Sequence, residues 1–379
     1  MRNEFEDIRP YLDHEVPEVI ERLLTIPAFF NMMQYVQPEW IKAEVIAAMM
    51  SVNTVEDFQR NIAHPTMRRL VDSTVSELTV SGLENLKPGE SYLFISNHRD
   101  IILDSAILNI VLLEAGLGTI QTAIGSNLLT SDLVADLTKL NKNFVVKRNT
   151  GAREFYENSM LLSDYIRYTI GDQKQSIWIA QREGRTKDGL DKTQPGLLKM
   201  LSINCQNPLR QCLRDLRITP VAISYEFDPC DTLKIPELKA VSRDEKYEKA
   251  PDEDINSILT GLTGQKGRVH LSIGTTLNAE LEELADYPNV NDKLRIVGDM
   301  IDQQIYLNYK LWPSNYLALD LLDGNDSDLD HYSKEDRIEF EQSVRNRLAE
   351  AGLDPSTDME WLLKMYANPV RNHLAVFRD

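Results

Sequence analysis

Apolar positions recur at helical spacing over residues 1 to about 80. Val19, Ile20, Leu23, Leu24 and Ile26 fall on one face before Pro27, and a second run extends from Trp40 to Met50. Between them Phe29, Phe30, Met32, Met33 and Tyr35 form a soft cluster. It reads as a helix–helix core, with a bilayer-dipping or acyl-cradling surface as the alternative. From about residue 78 the pattern changes to short apolar runs bounded by turn signals, at 78–80, 92–95, 143–147, 176–180, 219–225 and 268–273. Helical stretches separate most of them, which predicts an α/β domain with a mostly parallel, mixed sheet flanked by helices. Residues 236–256 are charged and bounded by proline and read as an insertion or long loop. Beyond about residue 278 helical spacing returns, at 281–284, 293–309 and 338–351. The expected organisation is a helical N-terminal region over 1–77, an α/β domain over 78–277 and a helical C-terminal extension over 278–379.

A chain of 379 residues with 42% hydrophobic and 26% charged positions can bury a sizeable core. Its net charge of −18 disfavours a nucleic-acid partner, which needs a basic footprint, and disfavours adhesion of the whole surface to anionic lipid. Cys205, Cys212 and Cys230 show no zinc spacing, so a reduced, cytoplasmic protein is expected. The N-terminus lacks a signal core, and Asp104, Asn109 and Glu114 interrupt the longest apolar tract, 101–124. A soluble or peripherally attached protein follows. The acidic stretch 320–330 is not a calcium loop, because Asp328 stands where the glycine after Asp323-x-Asn325-x-Ser327 belongs.

Candidate chemistry centres on residues 94–108. Leu93, Phe94 and Ile95 make a strand-like run, followed by Ser96, Asn97 and His98 and then by a helical segment from Ile101. His98 would sit at the sheet's carboxyl edge, where open α/β sheets place their chemistry. Asp100 and Asp104 are both near enough in sequence to hold the imidazole in one tautomer and raise its basicity. The plain alternative is a solvated histidine beside helix-capping carboxylates.

Three further stretches change that balance. Lys147, Arg148 and Asn149 end an apolar run, and cations there could hold a phosphate, with two exposed strand-end cations as the plain alternative. The run from Trp178 to Ala180 enters a charged turn in which Arg182 and Arg185 flank Glu183 and Gly184 permits a tight bend. Pro220 opens an apolar run that ends in Ser224, Tyr225 and Glu226. Lys139, Lys142, Lys147, Arg148, Arg153, Arg182, Arg185, Lys187 and Lys192 concentrate positive charge in this part of an acidic chain, a field suited to anionic substrates or to uneven scatter alone.

In order and composition these four stretches resemble the four blocks of the glycerolipid acyltransferases, the glycerol-3-phosphate and 1-acyl-glycerol-3-phosphate acyltransferase superfamily. The resemblance covers roughly residues 90–230. It departs at two places. The family's Asp lies five residues after the His, whereas Leu103 holds that position here and the carboxylates are Asp100 and Asp104. We place the role on Asp104, with Asp100 as the alternative. In the third block Arg185 follows Gly184 directly, one residue short of the family pattern.

The resemblance implies acyl transfer from a thioester, acyl-CoA or acyl-carrier protein, to a hydroxyl of glycerol-3-phosphate or lysophosphatidate, with no other cofactor and no metal. His98 would be the general base and Asp104 its orienting partner. Lys147 and Arg148 would bind the acceptor's phosphate, and Glu183, Gly184 and Arg185 would position its glycerol. A peripheral contact with the inner face of the cell membrane is expected. Alternatives are another lyso-lipid acceptor, or a degenerate lipid- or membrane-binding protein. A kinase reading of His98-Arg99-Asp100 fails because position 105 is Ser rather than Asn. A metallohydrolase reading lacks a second histidine at ligand spacing.

Overall fold

The computed structural model describes residues 3–148 and 151–377. Asn149, quoted above at the end of a strand, lies outside them. One seven-stranded sheet organises the chain, in the order β1-β7-β6-β2-β5-β3-β4. Its strands are β1 (Glu77–Ser81), β2 (Leu93–Ser96), β3 (Gln121–Gly125), β4 (Asn143–Val146), β5 (Ile177–Ala180), β6 (Ile218–Tyr225) and β7 (Arg268–Ile273). All neighbours pair parallel except β6 and β7, so the sheet is mixed and mostly parallel, as the sequence predicts.

All four residues of β2 are buried, because helices cover both sheet faces. Alternation along the strands splits the core in two. Leu93 and Ile95 of β2 and Ile177 and Ile179 of β5 pack with Phe144, Tyr165, Leu198 and Ile301 on one face. Phe94, Trp178, Val221 and Ile223 pack with Ile107, Leu108 and Leu271 on the other. The terminal regions add their own cores, around Phe29, Met33 and Phe58 at the N-terminus and around Leu348, Leu362 and Tyr366 at the C-terminus. The soft N-terminal cluster divides accordingly. Phe29 and Met33 are buried between helices, whereas Tyr35 is exposed.

The structure corrects four sequence expectations. Strand β3 lies at the end of the apolar tract 101–124, where polar Gln121 and Thr122 hide its start. About half of residues 236–256 are helical, within Asp231–Ser242 and Glu253–Thr263, where Ile235 of the first helix packs inward. Only the segment 243–252 is a connection. The C-terminal extension also holds the helices Pro313–Asp323 and Pro355–Ala375, which periodicity did not single out. Finally, Cys205 and Cys212 form a disulfide, with Cα atoms 6.0 Å apart, so the expectation of free thiols holds only for buried Cys230. The pair lies seven positions apart in sequence, and the turn between two short helices brings them together. Among the described residues no helix is long and apolar enough to cross a membrane.

Candidate active site

Because β2, β3, β4, β5 and β6 run parallel, their carboxyl ends share one edge of the sheet. The four sequence blocks end there. At the end of β2 the side chain of Asn97 takes over the ladder: its Nδ2 donates to the Ile223 carbonyl at 2.9 Å, and its Oδ1 accepts from the Ile223 amide at 2.8 Å. That lock ends the strand and fixes the exit direction of His98.

His98 Nδ1 lies 2.7 Å from Oδ2 of Asp104. The same oxygen accepts the backbone amides of Arg99 at 2.6 Å and Asp100 at 3.1 Å, and Oδ1 accepts the Tyr225 hydroxyl at 2.8 Å. Asp104 stands in the first turn of the helix Leu103–Glu114, where free amides and the helix dipole favour a carboxylate. With four donors and 2% exposure it cannot turn away from the imidazole. A carboxylate on Nδ1 fixes the tautomer that carries the proton there and leaves the Nε2 lone pair free. Trp178 packs edge-on against the His98 ring at 5.4 Å, and its indole donates to Ser96 Oγ at 2.9 Å. Burial holds the Tyr225 phenol well above its usual pKa, reinforced by Asp104, so it stays a donor.

Asp100 has a different post. Its Oδ1 accepts the amides of Ile102 and Leu103 at 2.9 and 2.8 Å, capping the helix. Burial, and then Asp104, raise its pKa. Gly261 packs so closely on this carboxylate that any side chain there would strike Asp100 Oδ2. The extra residue between His98 and Asp104 is taken up in the turn before the helix begins at Leu103.

The other predicted residues divide. Arg148, after β4, donates to the Glu183 carboxylate of the loop after β5, joining the second and third blocks. The Glu183 amide is held by Gln194 Oε1 at 2.8 Å, and Gly184 adopts the positive φ of 70° that its turn requires. Lys147 is not part of this group. It faces Asp7 at 3.3 Å, because alternate residues leave a strand end on opposite sides. The expected basic field is largely neutralised: Lys142 pairs with Glu56, Arg153 with Glu157 and Lys187 with Glu237. What remains near the loop is a set of buried polar atoms without partners, Arg148 Nε, Arg182 Nε, Arg185 Nη1, Thr186 Oγ1 and both amide atoms of Gln181. Native interiors seldom leave such groups unsatisfied, so water or a polar ligand is their complement.

Sequence reasoning missed the supports of the site. Arg99 forms a buried, two-pronged pair with Asp191, both contacts at 2.5 Å. Burial opposes the Arg99 charge, but Asp191 more than offsets it and its pKa is raised. Lys234 donates to the Arg99 carbonyl at 3.1 Å and pairs with Asp228. The Thr186 amide donates to the His98 carbonyl at 2.8 Å, tying the third block to the first. Of the fourth block's polar end only Tyr225 reaches the site, since Ser224 accepts the Lys310 amide and Glu226 pairs with Arg268. The signal for Tyr225 was the adjacency of β2 and β6, which spacing does not encode.

The acyltransferase family model matches residues 77–224, from β1 to the penultimate residue of β6. The segment that carries all four blocks is therefore similar to the acyltransferase family. No curated protein matches the chain. Among solved structures, the 1-acyl-sn-glycerophosphate (LPA) acyltransferase PlsC from Thermotoga maritima aligns over 76% of this chain and 91% of its own, at 11% identity and a TM-score of 0.36.

Proposed function

We propose that this protein transfers a fatty acyl group from acyl-CoA or acyl-carrier protein to a free hydroxyl of glycerol-3-phosphate or lysophosphatidate. The observation that carries the reading is the His98–Asp104 pair at the carboxyl edge of an acyltransferase-like domain, with Nδ1 held at 2.7 Å. In this mechanism Nε2 of His98 takes the acceptor's hydroxyl proton as the oxygen attacks the thioester carbonyl. The tetrahedral intermediate collapses, the carbon–sulfur bond breaks, and the imidazolium returns its proton to the leaving thiolate. Asp104 stabilises the imidazolium, and Tyr225 and two amides stabilise Asp104. No protein nucleophile takes part, and the activity needs no cofactor beyond its thioester substrate.

Arg148, with Glu183, Gly184 and Arg185, binds the phosphorylated glycerol end of the acceptor. The unpartnered polar atoms of Arg148, Gln181, Arg185 and Thr186 support that assignment. Lys147 is left to a lesser part by its contact with Asp7. Contact with a membrane is supported by Phe155 and Tyr156, exposed in the first turns of the helix Ala152–Gly171 just beyond Arg148. On this reading the protein works in the cytoplasm at the inner face of the cell membrane.

The test is thiol release from a long-chain acyl-CoA, and in parallel from acyl-carrier protein, with glycerol-3-phosphate, lysophosphatidate, other lyso-phospholipids or glycerol offered in turn. Release that depends on a phosphorylated acceptor, with the acylated acceptor as product, is the expected result. Binding of acyl donors without turnover with any acceptor would overturn it in favour of a lipid-binding protein.

A further inference from the structure

The family match ends at residue 224, and nothing in the reaction above uses the last hundred residues. Their contacts point to a role. The loop that follows β5 begins at Gln181 and closes at Gln194, whose amide donates to the Gln181 carbonyl at 2.9 Å. On its inner side the loop is fixed to the catalytic block by the Thr186 amide on the His98 carbonyl and by Asp191 on Arg99. On its outer side it is fixed to the C-terminal helix Pro355–Ala375.

The outer attachment is built from residues one turn apart on one helix face. Asn368 Nδ2 donates to the Asp188 carbonyl at 2.6 Å, and Asn372 Nδ2 donates to the Gly189 carbonyl at 3.0 Å. Between them stands Pro369, inside the helix, where it has no amide to give the Met365 carbonyl. Gly189 lies against that carbonyl with φ +77°, and a Cβ on Gly189 would collide with it. The interruption of the helix and the bare backbone of the loop are thus complementary shapes. Lys187 adds a third attachment, to Glu237 at 2.6 Å. Both asparagines are buried, so their hydrogen bonds do not compete with water.

We propose that the C-terminal helix holds the 181–194 loop in its acceptor-binding shape through Asn368 and Asn372, which makes them positioning residues for acyl transfer. Neither touches substrate. They act on Glu183, Gly184 and Arg185 by fixing the backbone that carries them, and on His98 through the Thr186 amide. The kinetic part of this role rests on the acyltransfer reading, whereas the structural part does not.

Two measurements on the full-length protein keep these apart. The first is amide hydrogen exchange in wild type, in the Asn368→Ala/Asn372→Ala double variant and in the Asn368→Asp/Asn372→Asp variant, which keeps shape and replaces a donor by an acceptor. Exchange of loop peptides covering 182–192 should quicken roughly tenfold in both variants, with peptides of β2 and of the helix Leu103–Glu114 unchanged. The second is steady-state acyl transfer, in which the acceptor KM should rise severalfold with kcat within about threefold of wild type. Unchanged loop exchange, or a uniform increase across the whole chain, would overturn the proposal, as would a loss confined to kcat. Faster loop exchange in a protein whose wild type transfers no acyl group would leave the attachment standing and remove the reaction.

Discussion

Tyr225 and His98 hold opposite oxygens of one carboxylate, the phenol on Oδ1 of Asp104 at 2.8 Å and the imidazole on Oδ2 at 2.7 Å. The arrangement crosses from β6 to β2 and gives the dyad a third member, from the end of the fourth block, whose reach to Asp104 the sequence does not show. A buried hydrogen bond to a charged group contributes on the order of 1.5–3 kcal/mol. Tyr225→Phe removes it while keeping the ring. We expect kcat about tenfold lower or more, with acceptor KM within about twofold of wild type. Steady-state kinetics checks this, and an unchanged kcat would show that the backbone amides alone hold Asp104.

The cation that meets the acceptor should be Arg148 and not Lys147. Arg148 faces Glu183 across the site, whereas Lys147 turns to Asp7. Arg148→Ala should raise the KM for glycerol-3-phosphate about tenfold or more, since a two-pronged phosphate contact is lost. Lys147→Ala should change it by less than about twofold. The reverse order would place the phosphate on the other side of β4.

The Arg99–Asp191 pair is a structural pin whose removal should be seen in stability before activity. Asp191→Ala leaves a buried guanidinium alone, a change that costs about 3–5 kcal/mol, whereas replacing both partners by apolar residues costs far less. Denaturant unfolding of Asp191→Ala beside Arg99→Met/Asp191→Leu tests this. Equal losses in the two would mean that Asp228 and the Tyr309 ring already compensate for the missing carboxylate.

Asp302 gives the fold a dependence on pH. It is buried, accepts the amide and hydroxyl of Thr193 at 2.8 and 2.6 Å, and burial pushes its pKa up to about 7. An acid whose pKa is raised on folding binds its proton more tightly in the folded state. Its contribution is therefore full below about pH 4 and is lost as pH rises to about 7. Asp302→Asn keeps the acceptor oxygen and cannot ionise. Its melting temperature relative to wild type should climb by at least about 2 °C between pH 4 and pH 7.5 and stay level above. A difference independent of pH would contradict the buried-acid explanation.

Much of this was legible in the chain itself. Six of the seven strands announced themselves as apolar runs between turns, and the four blocks fell on strand ends because short buried strands and polar turns have distinct compositions. The placing of His98, Arg148 and Glu183 at one sheet edge, with Asp104 beside His98, was legible for that reason. What stayed hidden depends on sheet order and side-chain direction. Nothing in the spacing says that β6 lies beside β2, and so that Tyr225 reaches Asp104. Nor does it say that Lys147 and Arg148, adjacent in sequence, leave β4 on opposite sides. The helix Pro355–Ala375 was obscured by Pro369, a residue that ordinarily ends a helix and here leaves a carbonyl for Gly189 to pack against.

The geometry assigns the two nearby carboxylates to separate tasks, Asp104 to the imidazole and Asp100 to the helix cap. Acyl transfer by His98→Ala, Asp104→Asn and Asp100→Asn, measured as acceptor-dependent thiol release beside wild type, addresses this division at its root. The amide of Asp104→Asn cannot accept from His98 and two backbone amides together, so its rate should fall about a thousandfold or more, close to the loss in His98→Ala. Asp100→Asn keeps an oxygen for the cap and should retain activity within about fivefold. If Asp100→Asn were the inactive variant and Asp104→Asn stayed active, or if His98→Ala kept its rate, the dyad described here would not be the catalytic one.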